Sequence, residues 1–267
     1  MNIFHKILSK INQFLYYRHI NPLSTLWINL CWFPLKTALK LPVIIYGRIN
    51  YSGTGKFMIM GNASHGMIKI NKMLPWAPAN DTGRTSIINA GTVVFNGKLT
   101  ICTGVKIAIH NNATLSLGND LIIADDAIIG CMNSISIGSH TRLAHRSQIM
   151  DSSYHFTIDL NNRAIRNNKY SISIGDFSWI ANTASVCGEV HLPKGTIVSA
   201  YSLVNKTPRD IVPFTLIGGI PAKILYSGIR RIYNPNTELE LINFFSNPTN
   251  NIYKIDESLD ITSDKLI

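Results

Sequence analysis

The chain has 267 residues, 46% hydrophobic and 15% charged, which suffices for one large or two small packed domains and excludes wholesale disorder. Its 25 Lys and Arg against 15 Asp and Glu give a net charge of +10, but the excess is concentrated at one end. Lys6, Lys10, Arg18, Lys36, Lys40, Arg48, Lys56, Lys69 and Lys72 all precede the first acidic residue, Asp81.

Residues 1–42 read as a helical region. Ile3, Ile7, Leu8, Ile11, Phe14 and Leu15 recur at one- and two-turn spacings and would share a face, and a second short helix is expected over residues 23–39. These helices either pack on the main domain or give peripheral membrane contact through residues 1–40. In the second case Trp27, Trp32 and Phe33, flanked by Lys36 and Lys40, form an interfacial patch attracted to anionic lipid. The most apolar stretch, residues 26–41, is broken by Asn29, Pro34, Lys36 and Lys40 and falls short of the roughly 20 apolar residues a spanning helix needs. Lys6 and Lys10 alternate with Ile3, Ile7 and Ile11 and do not precede a compact apolar core, so no secretory signal is expected. Cys31, Cys102, Cys131 and Cys187 are far apart, with no paired spacing of a metal ribbon or a secreted disulfide framework. Together these features point to the cytoplasm, at most peripheral at the inner face of the membrane.

Past Val43 the period changes to six. One column reads Ile87, Val93, Leu99, Val105, Asn111, Leu117, Ile123, Ile129. After a two-residue slip it reads Ile137, Leu143, Ile149, and after a longer interruption Ile174, Ile180, Val186, Leu192, Val198, Val204. In the last block the fourth residue after each anchor is Ser178, Ala184, Val190, Thr196 or Ser202, all small or β-branched. One inward aliphatic and one small residue per six make a short strand and a tight corner, and three such units close a triangular coil. A coil cannot bury its own apolar face, so coils must stack. A β-sandwich would space its strands by about 8–12 residues with two-residue alternation, which does not fit. The expected repeat domain covers residues 43–210, with a polar excursion at 151–173 and a C-terminal extension at 211–267, in which residues 237–245 read as a short helix. The excursion holds Asp151, His155, Asp159, Arg163, Arg166 and Lys169, and such departures from a rigid scaffold are where chemistry is commonly placed.

Residues 149–155 read Ile-Met-Asp-Ser-Ser-Tyr-His, 174–181 read Ile-Gly-Asp-Phe-Ser-Trp-Ile-Ala, and 218–224 read Gly-Gly-Ile-Pro-Ala-Lys-Ile. With the repeats at 87–206, these segments resemble the hexapeptide-repeat acyltransferases, in particular bacterial O-acetyltransferases of capsule, lipopolysaccharide or small saccharides. Residues 22–47 are similar to the helical lead-in of a capsule-type subgroup. The resemblance implies an all-β chain folded as a left-handed parallel β-helix with N-terminal helices and a short C-terminal tail. It implies an acetyl-CoA co-substrate, a saccharide or nucleotide-sugar acceptor, and a homotrimer whose active sites are shared between subunits. It further implies His155 as the catalytic base, and a donor site at Trp179, Ala181, Ala200, Lys206, Pro221 and Lys223. The family segment often has a second acid two residues before the histidine; here that residue is Ser153, which leaves Asp151 to orient His155 or to bind the acceptor.

The chemistry supports His155 on its own terms. Acetyl transfer from a thioester to a hydroxyl needs a base that is neutral near pH 7, and imidazole, with a reference pKa of about 6.5, is suited to it. Lys206, Arg209, Lys223, Arg230 and Arg231 follow the last repeat and could meet coenzyme phosphates. Rival readings are an amino-sugar N-acetyltransferase, a metal-dependent hydratase and a scaffolding β-helix. Residues 143–148, Leu-Ala-His-Arg-Ser-Gln, resemble the zinc-ligand segment of γ-class carbonic anhydrases, but that family has a second histidine where this chain has Met150, and a thioether is a poor zinc ligand. His110, His140 and His145 are therefore read as structural or surface residues and no metal is expected. No phosphate loop, dinucleotide fingerprint or nucleic-acid-binding motif occurs.

Overall fold

The computed structural model describes residues 19–74, 83–255, 258 and 261. The helical face expected between Ile3 and Leu15 lies outside them. From Val43 the chain winds into a prism of three parallel sheets. The first face stacks Val43–Ile45, Ile68–Ile70, Leu99–Ile101, Leu121–Ile123, Arg142–Leu143, Trp179–Ile180, Ile197–Val198 and Thr215–Gly219. On the second stand Asn50–Ser52, Ser86–Asn89, Lys106–Ile109, Ile128–Cys131, Gln148–Met150, Ser185–Cys187 and Leu203–Val204. The third holds Lys56–Ile59, Thr92–Phe95, Thr114–Leu117, Ser134–Ile137, Ser171–Ile174 and Val190–Leu192. Ala222–Ser227 then doubles back antiparallel on Thr215–Gly219. This is the expected all-β, parallel β-helical architecture.

Register explains its stability. Ile45, Ile70, Ile101, Ile123, Leu143, Ile180, Val198 and Ile217 are successive partners along the first face. None is more than 1% exposed, so one continuous aliphatic ladder runs the length of the prism. Ile123→Val removes one methylene from this ladder and is expected to cost about 0.5–1.5 kcal/mol in denaturant unfolding.

All sixteen aliphatic positions of the six-residue column are buried. Their stacking nevertheless departs from a strict count of six. Ile87 and Ile129 flank Ile107, not Val105, and Val93 stacks on Leu115, not Asn111. The reason is coil length: Ile101 and Ile123 are stacked partners 22 residues apart, whereas Ile180 and Val198 are 18 apart. Corners in the longer coils absorb extra residues, with Asn112 and Asp126 in the left-handed region. Coils also precede the readable repeat, because the first one uses Tyr51 and Phe57 where later coils use aliphatic residues. The parallel array continues past residue 210 to Gly219, since the chain skips the third face and returns directly to the first.

Helix α1 (Pro22–Trp32) starts at the Asn21 cap, whose side chain accepts the Ser24 N–H at 3.0 Å. A single helix over 23–39 does not form. Pro34 cannot donate a backbone hydrogen bond and restricts Phe33, so the chain breaks there and resumes as α2 (Leu35–Ala38). Trp32 lies in the core, stacked on Phe57 at 3.8 Å with a 9° interplanar angle, and Phe33 is buried with it. These two rings therefore belong to the interior and not to an interfacial patch. Thr25 and Asn29 also point inward, where they bond the outermost strand of the first face: Ile45 N–H donates to Thr25 Oγ1 at 3.0 Å and Val43 N–H to Asn29 Oδ1 at 3.1 Å. The helices thus close the end of the prism.

Past the last coil, α3 (Pro235–Phe245) begins two residues before the expected 237, and its Glu238 lies over the first face, 3.6 Å from Arg231. The tail leading to it is tied down by Tyr233, whose hydroxyl donates to the Phe177 carbonyl at 2.6 Å.

Candidate active site

The chain leaves the second face at Met150 and rejoins the third at Ser171. Between them an antiparallel bridge of Ser152 with Lys169 closes a neck, and a short hairpin, Ile158–Asp159 against Ala164–Ile165, forms the tip.

Asp151 anchors this neck. Its side chain is fully buried, and its two oxygens accept the N–H groups of Met132, Asn133 and Ser134 at 2.7, 2.8 and 2.9 Å. The hydrogen bonds of the Asp151 carboxylate thus run to backbone, and none among the described residues reaches the His155 ring that it was expected to orient. Three backbone donors at one sharp corner take up the carboxylate, which is itself fully buried and would otherwise be unpaired. Tyr154 follows with a φ of 63°, laying its ring beside His110 at 5.3 Å between centroids. Its hydroxyl sits over Gly130, where an added Cβ would stand 2.3 Å from that oxygen. A glycine in the second face thus makes room for the residue that sets the exit direction of the loop. Burial, with Asp151 nearby, pushes the Tyr154 phenol up, and pushes the Cys131 thiol up to about 12. Neither group is poised as a nucleophile.

His155 comes next and is exposed. Ser153, at the position of the family's second acid, donates its hydroxyl to the His155 carbonyl at 3.0 Å and not to the ring. Among the described residues no hydrogen bond reaches the imidazole.

A groove of about 660 Å³ runs down the second face from Ser153 past Met150, Cys187 and Leu203 to Lys206. It joins the root of the His155 loop to one of the expected donor residues. The others lie elsewhere. Trp179 stands on the first face, paired with Arg142 and Ile197. Ala181 is buried at the following corner, Ala200 is exposed one coil further on, and exposed Pro221 and Lys223 lie in the closing hairpin. One chain therefore does not bring His155 and Trp179 together. Of the basic residues after the repeat, Arg230 packs over Phe177 and Phe214 at 5.6 and 5.3 Å, and Arg231 over Trp179 and Tyr233 at 5.5 and 5.1 Å.

The first face carries a second concavity of about 740 Å³, lined by Arg142, His145, Arg146, Trp179, Asn182 and Arg231 among others. Arg142 donates to an Asp120 carboxylate oxygen at 2.9 Å and also to its carbonyl, and His140 Nδ1 lies 3.2 Å from the same carboxylate. Partial burial pushes the Asp120 carboxyl up, but Arg142 and His140 outweigh it and hold the group below its ordinary value. A depressed carboxyl contributes stability above its unfolded pKa and loses it as pH falls through the folded one. Acid is thus expected to loosen this corner, and Asp120→Asn to flatten the dependence of melting temperature on pH below about 4. Melts of both forms from neutral to acid pH check it.

A further constellation carries no sequence motif. On the third face, Ser173 Oγ is 2.9 Å from His191 Nδ1, and His191 Nε2 is 2.8 Å from Glu189 Oε1. Glu189 also lines the groove, and the Ser171 N–H and His191 hold its carboxyl below the ordinary range. Ser173 and His191 are register partners on adjacent strands. Only the spatial pairing of outward positions brings them together, which sequence spacing alone does not reveal.

No family model matches the chain. Over 104 residues it is 31% identical to the "Putative colanic acid biosynthesis acetyltransferase WcaF" of Escherichia coli (strain K12), covering 37% of this chain and 52% of the relative. The chain thus spans about half the length of the curated relative it matches. Among solved structures, the polysialic acid O-acetyltransferase OatWY is 17% identical, covers 81% of this chain and 97% of its own, and has a TM-score of 0.49. The hexapeptide-repeat acetyltransferase VCA0836 of Vibrio cholerae O1 biovar eltor, solved in complex with acetyl coenzyme A, is 24% identical over 48% of this chain and 67% of its own, with a TM-score of 0.40. The six-residue column and the three-faced coil it winds, with an excursion between the second and third faces, make this chain a parallel β-helix built on a six-residue repeat.

Proposed function

We propose that the protein is an acetyl-CoA-dependent O-acetyltransferase acting on a saccharide hydroxyl of a surface polysaccharide or its precursor. The observation that carries this reading is the exposed His155 on the excursion, two residues beyond Ser153, where a groove that ends at Lys206 begins. The acceptor oxygen attacks the thioester carbonyl while His155 takes the hydroxyl proton. The tetrahedral intermediate then collapses, the carbon–sulfur bond breaks, and the departing thiolate receives that proton. No acyl-enzyme forms, in keeping with a buried Cys131 whose thiol is held protonated. The name of the partially matching relative supports the same chemistry.

A homotrimer completes the site in this reading. Phe156, Leu160 and Ile165 of the excursion are 65%, 81% and 63% exposed, an apolar tip suited to cover by a neighbouring subunit. That neighbour would offer Trp179, Ala181, Ala200, Pro221 and Lys223 for the donor opposite His155. The amino-sugar N-acetyltransferase alternative uses the same base on an ammonium proton.

A second reading is favoured by one observation: His191 already has a carboxylate partner in Glu189, as an oriented base would. Coenzyme-A thiol release measured over a panel of saccharides, nucleotide sugars and amino sugars, with His155→Ala and His191→Ala beside the wild type, tests both. The first reading expects hydroxyl acceptors to be acetylated and His155→Ala alone to be inactive. Absence of any acetyl-CoA binding would leave a scaffolding β-helix.

A further inference from the structure

The helical cap is amphipathic in the inverted sense. Its polar side chains Thr25 and Asn29 are 4% and 0% exposed, engaged with the first strand, while its outer surface is apolar. Leu23 is 81% exposed, Leu26 50%, Trp27 51% and Leu30 48%, and Leu35 and Leu39 of the second helical segment are 63% and 69%. A contiguous apolar helix face is normally covered and not left in water. Lys36 and Lys40 are exposed beside this surface, and the chain has no Asp or Glu before Asp81.

We propose that this cap seats the protein on an anionic membrane surface. Leu23, Leu26, Trp27, Leu30, Leu35 and Leu39 enter the boundary between headgroups and acyl chains, and Lys36 and Lys40 meet the lipid phosphates. Charge selects this occupant. A second copy would bring the same uncompensated positive charge to the contact, whereas a bilayer rich in anionic lipid offers an apolar layer and negative charge together. Trp27, with its ring edge against Tyr51 at 5.9 Å, has the half-buried aromatic placement suited to a membrane interface. Since no helix among the described residues is long and apolar enough to cross a membrane, the contact is peripheral. It rests on the cap alone and is independent of the transfer reaction.

Flotation of the full chain with phosphatidylcholine vesicles, with and without about 30% phosphatidylglycerol, tests the proposal. Wild type is expected to float with the anionic vesicles and to be released by added salt. The double variant Leu26→Gln/Leu30→Gln should lose at least about tenfold in partition. Lys36→Gln/Lys40→Gln, which removes no apolar contact, should lose the preference for anionic over neutral vesicles. A wild type that stays unbound overturns the proposal, as does equal flotation of the leucine variant. A change in sedimentation mass on the leucine substitution, which would mark a second copy on this face, also overturns it. Thermal melts confirm folding, and if the leucine variant is unfolded the lysine variant decides the matter alone.

Discussion

Replacing His155 by alanine is expected to lower acetyl transfer by about 10²–10⁴-fold, the range lost when a positioned general base is removed. The melting temperature should move little, because the residue is exposed and no hydrogen bond among the described residues reaches its ring. Binding of acetyl-CoA should persist, since the groove below the loop is lined by Ser153, Met150, Cys187 and Lys206 and not by His155. A loss confined to kcat therefore separates a chemical role from a binding one. His191→Ala is the comparison that matters, because His191 has the Glu189 contact that His155 lacks. Near-normal transfer in His155→Ala together with collapse in His191→Ala would move the base to the third face and retire the first assignment.

The ladder was legible because burial is enforced at every sixth residue of the coils between Ile174 and Val204, where one short strand and one tight corner fill each unit. It faded toward the N-terminus for a physical reason. The first coils fill the same interior with Tyr51, Phe57 and the capping Trp32, so volume is conserved while the aliphatic period is lost. The loop histidine stood out as a polar departure from the repeat, but the role of Asp151 did not. A carboxylate near a histidine looks the same in sequence whether it faces the ring or three backbone N–H groups. Trp27 and Trp32 were likewise indistinguishable in one basic apolar segment, and only the inward turn of Thr25 and Asn29 reveals which of the helix faces meets the core. The Ser173, His191 and Glu189 contacts depend on inter-coil register, which extra corner residues shift without any mark in the local sequence.

Asp151→Ala is expected to be the most destabilising single change at the site, by about 3–5 kcal/mol in urea or guanidinium unfolding. The side chain accepts from Met132, Asn133 and Ser134, and its removal leaves a gap where the buried carboxylate stood and three backbone donors unpaired at a part-buried corner. Hydrogen bonds to a carboxylate contribute about 1.5–3 kcal/mol each, and partial entry of water reduces their sum. Asp151→Asn keeps the shape and one accepting oxygen but turns an amide N–H₂ toward a backbone donor, so an intermediate loss of about 2 kcal/mol is expected. Both variants should also lower transfer, because the neck closed by the Ser152–Lys169 bridge and the Tyr170 N–H to Asp151 carbonyl bond holds the root of the His155 loop. That loss should shrink on cooling or in stabilising osmolyte, as the corner re-forms. A group acting on the imidazole would behave otherwise: Asp151→Ala would cut kcat with stability unchanged, and cooling would restore nothing. That pattern would return Asp151 to the chemistry.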